Sequence, residues 1–132
     1  MSAFPAVRSD EASKSFFEGA ARGELVVNRC NCSTVVGPEV RTCPSCGETD
    51  LAPFVATGTG TLVSWVVVHQ PPVPALADSV PYTSAIVQLD EGPWLIVRLL
   101  DGPAPREDAP VEVRFIAHQD GETLPAFVQV AP

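Results

Sequence analysis

The sequence predicts a mainly β chain: an N-terminal helix, a small cysteine-stapled ribbon, then a five-stranded barrel. Fourteen prolines, many paired or beside glycine, cut 132 residues into short segments and argue against long helices. Four cysteines stand in two close pairs, Cys30-Asn31-Cys32 and Cys43-Pro44-Ser45-Cys46. Downstream, five short apolar runs alternate with turn-rich segments such as Asp90-Glu91-Gly92-Pro93 and Asp120-Gly121. That spacing is what a Greek-key barrel of the OB-fold type requires, with a five-stranded sandwich as the competing architecture.

Residues 1–28 read as a helical arm and a first strand. Ser9 or Asp10 is placed to cap a helix running through Arg22, with Phe16, Phe17, Ala20 and Ala21 on one side and Gly23 at the stop. The adjacent phenylalanines fit either packing on the chain's own domain or docking on another subunit. Leu25 to Arg29 is a strand that feeds the first cysteine pair.

Residues 29–52 make the ribbon, with Thr34 to Arg41 as the loop or hairpin between the pairs. Four thiolates in two pairs satisfy one tetrahedral ion, so Cys30, Cys32, Cys43 and Cys46 are the candidate ligands of a structural Zn2+. In Cys43-Pro44-Ser45-Cys46-Gly47, proline presets the turn and glycine admits the positive φ that aims backbone N–H groups at sulfur. The first pair is shorter than the usual zinc-ribbon spacing, with only Asn31 between its sulfurs. Side chains at i and i+2 of an extended segment share a face, so both sulfurs converge if the chain bends at Asn31. Disulfides in a secreted domain are the alternative, but no charged and then apolar leader is visible, and a redox role fits clustered cysteines poorly. Reduced thiols in a cytoplasmic protein are the expectation.

Residues 53–132 make the barrel, with strands expected at Phe54 to His69, Tyr82 to Leu89, Trp94 to Leu100, Val111 to Ala117 and Thr123 to Val130. Gly58 and Gly60 are placed to bend the first. The runs Leu62 to Val68 and Trp94 to Leu100 are apolar on both alternating faces, whereas a barrel strand half in water alternates. Part of the outer face is therefore expected to be covered, by the chain's own helix and ribbon or by a partner protein.

Charge narrows the function classes. Sixteen acidic against eight basic side chains give a formal charge of −8, which disfavours non-specific phosphate binding. No apolar run approaches the roughly 20 residues of a membrane helix, so a soluble protein with no membrane role is expected.

Several pieces then occur in a fixed order: Phe16-Phe17-Glu18-Gly19 with Gly23-Glu24-Leu25, Arg29-Cys30, and Cys43-Pro44-Ser45-Cys46-Gly47. Gly58-Thr59-Gly60-Thr61-Leu62-Val63-Ser64-Trp65, Val68-His69 with Pro71-Pro72, and Leu89-Asp90-Glu91-Gly92-Pro93 follow. Together they resemble, over nearly the whole chain, the zinc-ribbon and OB-fold proteins catalogued as domain of unknown function 35, often described as acyl-CoA-associated. The resemblance implies a non-catalytic accessory subunit in a hetero-oligomer. Its partner would be a thiolase-like enzyme, such as a sterol-carrier-type thiolase or a lipid-transfer-type aldolase, or sometimes a hot-dog-fold enoyl-CoA hydratase. That partner would act on acyl-CoA or steroid-CoA thioesters, with the barrel helping to shape the CoA channel at the interface. The shortened Cys30-Asn31-Cys32 knuckle departs from the family pattern.

The remaining residues agree with a companion role. General acid–base chemistry needs a positioned acid or base with a partner, and neither His69 nor His118 sits in a catalytic motif. His69, at a strand end before Gln70-Pro71-Pro72, faces either a partner's site or a loop carbonyl. Asp90 and Glu91 read as a solvated turn, and Arg98 as a strand-surface charge. Trp65, Tyr82 and Trp94 fit core or interface packing. As stacking platforms they would instead make an OB-fold single-stranded nucleic-acid-binding protein, which also needs a basic groove. Phe16, Phe17, Trp65, His69, Tyr82 and Trp94 are thus the candidate partner or channel residues. The apolar, proline-rich loop from Gln70 to Pro81 is expected to be ordered by a neighbour.

Overall fold

A computed structural model describes residues 6–130. Helix α1 spans Lys14–Ala21. Asp10 and Ser13 exchange hydrogen bonds ahead of it, the Ser13 N–H donating to Asp10 Oδ1 at 2.9 Å and the Asp10 N–H to Ser13 Oγ at 3.0 Å. This reciprocal cap makes Asp10 the start signal, but it holds residues 11–13 as a turn, so the helix is shorter than expected. At the other end Gly23 N–H donates to Ala20 and Glu24 N–H to Gly19, the crossed pair of bonds that stops a helix at glycine.

Strand β1 (Leu25–Cys30) is the centre of a three-stranded antiparallel sheet, flanked by β2 (Val35–Val36) and β3 (Leu51–Ala56). Five further strands follow: β4 (Thr59–Val68), β5 (Tyr82–Leu89), β6 (Trp94–Leu99), β7 (Pro110–Ile116) and β8 (Leu124–Gln129). They close into a barrel in the order β4-β5-β6-β8-β7, with the β6–β8 contact parallel and the other pairings antiparallel. This is OB-fold connectivity, and the sandwich alternative falls away.

The run expected as one strand from Phe54 to His69 divides at Thr57-Gly58. Its first part pairs with β1 from Leu25↔Ala56 to Cys30↔Leu51, so the ribbon's sheet runs past residue 53. Gly58 takes φ 82° and its carbonyl accepts the Val113 N–H at 2.8 Å. A Cβ there would lie 2.5 Å from Val113 Cγ1, so the break needs glycine twice over, for its φ and for its size. The adjacent carboxylates fasten this hinge. Glu91 Oε2 accepts the Thr57 N–H at 2.7 Å, while the Asp90 carboxylate accepts from the Thr59 hydroxyl. Asp90 and Glu91 therefore do not form a merely solvated turn.

One apolar core spans both sheets. Leu25, Val27 and Ala56 of the ribbon sheet pack in the same cluster as Leu62, Val87, Leu95 and Phe127 of the barrel, with Phe16 against its edge. The amide of buried Gln129 ties the loop before β7 to β8, accepting from Arg106 N–H and donating to the Ala104 carbonyl. Among the described residues no helix is long and apolar enough to cross a membrane.

Candidate metal centre and apolar outer face

The four sulfurs converge at the end of the ribbon opposite the barrel hinge. All lie within 4.8 Å of one another, with Cys30 and Cys46 at 3.3 Å and Cys32 and Cys43 at 3.7 Å. Thiolates about 2.3 Å from a tetrahedral ion sit roughly 3.8 Å apart, so this spacing fits a bound metal and is far beyond a disulfide's ~2.05 Å. The first knuckle is a tight turn in which Ser33 N–H donates to the Cys30 carbonyl at 2.9 Å and Cys30 N–H to the Thr34 carbonyl at 2.9 Å. Its left-handed residue is Ser33, at φ 75°. The bend that lets one intervening residue suffice is thus made after the pair as well as within it. In the second knuckle Gly47 takes φ 79° and donates to the Cys43 carbonyl at 2.9 Å.

Electrostatics make the same point. The Thr34 hydroxyl, with its backbone N–H, lowers the Cys32 thiol to about 6. A backbone bond from Glu48 favours the Cys46 thiolate, but the Cys30, Cys32 and Cys43 sulfurs together with burial push Cys46 up to about 12. Crowded thiolates repel, and a bound cation relieves that repulsion. Cys30 and Cys43 are buried while Cys32 and Cys46 are exposed, a ligand set reachable from solvent.

A second feature lies on the barrel's outer face. Register places Ser64 beside Ile86 and Ile96 in one row, and Val66 beside Ser84 and Arg98 in the next. Trp94 stands two positions before Ile96 along β6, and on this face Val66, Ile96 and Trp94 are 59%, 81% and 57% exposed. Helix α1 and Pro38 of the ribbon wall one side of this surface and leave a groove of about 790 Å³. Phe17 is buried and meets Phe16 edge-on, with ring centroids 5.1 Å apart. Phe16 and Tyr82 line the groove, where the Arg98 guanidinium lies 4.3 Å from the Tyr82 ring centroid.

The structure thus gathers the four cysteines at one place and Phe16, Phe17, Tyr82 and Trp94 at another. Trp65 stands elsewhere: it pairs with Ala85 and points to the opposite side of β4 from Val66. His69 is exposed just past the end of β4, and His118 turns back on its own loop, its Nδ1 accepting the Asp120 N–H at 3.0 Å. Sequence reasoning misses Ile96 as the most exposed large apolar side chain of the described residues, although its run reads as apolar on both faces. It also read Arg98 as a plain surface charge; nothing local reveals that Tyr82 is diagonal to it across two strands.

Comparison with known proteins gives these features a context. Residues 55–115 match the family model of the ChsH2 C-terminal OB-fold domain. The solved structure titled Ltp2-ChsH2(DUF35) aldolase contains a chain that superimposes with TM-score 0.77 at 35% identity, over 97% of this chain and 100% of that one. The chain belongs to the DUF35 family. Within it, a DUF35 protein of unknown function from Sulfolobus solfataricus shares the fold, with TM-score 0.60 at 12% identity over 92% of this chain and 87% of its own. A DUF35 domain-containing scaffold protein of Pyrococcus furiosus is 32% identical over 77 residues, which is 58% of this chain and 56% of that protein. A probable enoyl-CoA hydratase alpha subunit of Thermomonospora curvata is 37% identical over 132 residues, covering 97% of this chain but only 40% of the relative. The chain therefore spans about half or less of these two relatives' lengths.

Proposed function

We propose that this DUF35 chain is a non-catalytic accessory subunit that binds and stabilises a thiolase-superfamily enzyme, of the sterol-carrier-type thiolase or lipid-transfer-type aldolase kind. The partner would act on acyl-CoA or steroid-CoA thioesters, and the barrel would help to shape the CoA channel. One observation carries this reading: Ile96 and Trp94 stand largely in water beside an apolar groove on the outer face of a barrel whose core is already complete. An exposed apolar surface with a polar surround is how a protein-binding face looks before its partner arrives. The relative solved as an Ltp2-ChsH2 aldolase and the scaffold protein of Pyrococcus support the companion role. In this reading Cys30, Cys32, Cys43 and Cys46 hold a structural zinc ion that sets the knuckle end of the ribbon.

Co-expression with a lipid-transfer-type aldolase subunit, followed by affinity capture, is expected to recover a stoichiometric complex that Ile96→Lys weakens. Recovery of the chain alone, or turnover of a CoA thioester by the chain without a partner, overturns the proposal. A single-stranded nucleic-acid binder is the second reading, favoured by Tyr82 and Trp94 on the face that OB folds use. Among the described residues Arg98 is the lone cation lining that groove, against the basic track such binding needs. A salt-sensitive gel shift with single-stranded DNA would support it.

A further inference from the structure

The free edge of β4 is not used by the partner-subunit reading. β4 pairs with β5 from Gly60 to Val68, but its pairing with β7 covers only Thr59 to Thr61. Leu62 makes the last bonds on that side, its N–H donating to Ala109 at 2.9 Å and its carbonyl accepting from Asp108 at 2.8 Å. A bulge between Leu62 and Ser64 then turns the strand away. From Ser64 to Val68 no described strand pairs with that edge.

An open row of backbone donors and acceptors templates another strand, and proteins blunt such edges with charge or proline. The outer edge strand of the ribbon, β3, carries Pro53. Ser64-Trp65-Val66-Val67-Val68 carries neither charge nor proline, the bulge before Ser64 being its one blunting device, and Trp65, Val66 and Val67 are 38%, 59% and 46% exposed. The stretch is neutral on a wider scale too: residues 51–77 hold no Asp, Glu, Lys or Arg in a chain of formal charge −8.

The strand that fits this edge is extended, uncharged, free of proline, and mixes aromatic with β-branched residues. β4 is itself such a strand. We propose that β4 of a second copy pairs with it, antiparallel about a two-fold axis at Val66. In that register Val66 meets its counterpart, Ser64 lies opposite Val68, and Trp65 lies opposite Val67, so an aromatic–β-branched pair is made twice. Charge favours this occupant, because an uncharged seam is where two molecules of −8 approach with least repulsion.

Five residue pairs make an interface below standard size, so dimerisation depends on concentration, with monomer at ~5 µM and dimer at ~500 µM. Sedimentation equilibrium of the whole metal-replete chain reads this as a change from 14.0 kDa to twice that mass. Val66→Lys or Val66→Glu alone sets like charges face to face at the axis and is expected to leave a monomer at ~500 µM. An equimolar mixture of the two variants restores the dimer. Ile96→Lys, on the outer face of β6, leaves it intact. Circular dichroism and metal content establish that each variant folds. A wild-type monomer at ~500 µM, a dimer indifferent to both Val66 substitutions, or a mixture that stays monomeric overturns the proposal.

Discussion

The knuckle end of the ribbon and the barrel differ in what holds them. Between residues 31 and 50 the buried positions are Val36, Gly37 and Cys43, too little apolar surface to order twenty residues against chain entropy. The barrel buries Leu62, Val87, Leu89, Val111 and Phe127 almost completely. Packing suffices there, whereas in the proposed reading the knuckles depend on a cation held by the four sulfurs. The ribbon's sheet sits between the two regimes, because its far end, through Leu25, Val27 and Ala56, belongs to the barrel's core. A boundary drawn from the chain's order is therefore not the boundary along which stability divides.

Removing a ligand strains that comparison most. Cys43→Ser, or chelation of the metal, is expected to take metal content from about one ion per chain to none and to disorder the knuckles while the barrel strands persist. Elemental analysis with amide-resolved NMR checks both halves, and loss of the whole fold would show the regions to be less separate than argued. Metal affinity is also expected to climb with pH. With Cys46 pushed up to about 12, its proton must leave when metal binds near neutrality, so acid favours release. A competition titration at several pH values reads the slope.

Phe127→Ala attacks the opposite region. A fully buried ring at the β6–β8 closure should cost about 3–5 kcal/mol by urea denaturation. Because the core is shared, α1 and β1 should unfold in the same transition. Gly58→Ala tests the hinge between the regions, with strain at φ 82° and the Val113 contact costing about 1–3 kcal/mol. Glu91→Ala removes the acceptor of the Thr57 N–H at the same hinge and should cost about 1–2 kcal/mol in the same measurement.

Most of the barrel was legible because its strands are local patterns: Tyr82 to Leu89 and Trp94 to Leu100 begin and end at turn chemistry written in the residues beside them. The cysteine cluster was legible because sulfur in two close pairs has few other uses. What escaped depended on distant partners. Phe54 to Ala56 reads as the start of a barrel strand until β1 claims it, and Asp90 and Glu91 read as solvent-facing until the hinge folds against them. Ser33 gave no sign at all, since serine carries no preference that announces a left-handed backbone in a knuckle one residue short. The two-faced apolar runs predicted that something covers the barrel, but only register separates Ile96 from Val97 and Trp65 from Val66.

The cluster joining Leu25, Val27 and Ala56 to Leu62 and Phe127 bears on inheritance as well as on stability. Neither half can be excised without uncovering grease that the other was hiding, so ribbon sheet and barrel are expected to pass between genes as a single cassette. Carriage within a longer polypeptide, such as the Thermomonospora relative of which the match covers 40%, then costs little, because the cassette arrives with its interior already closed.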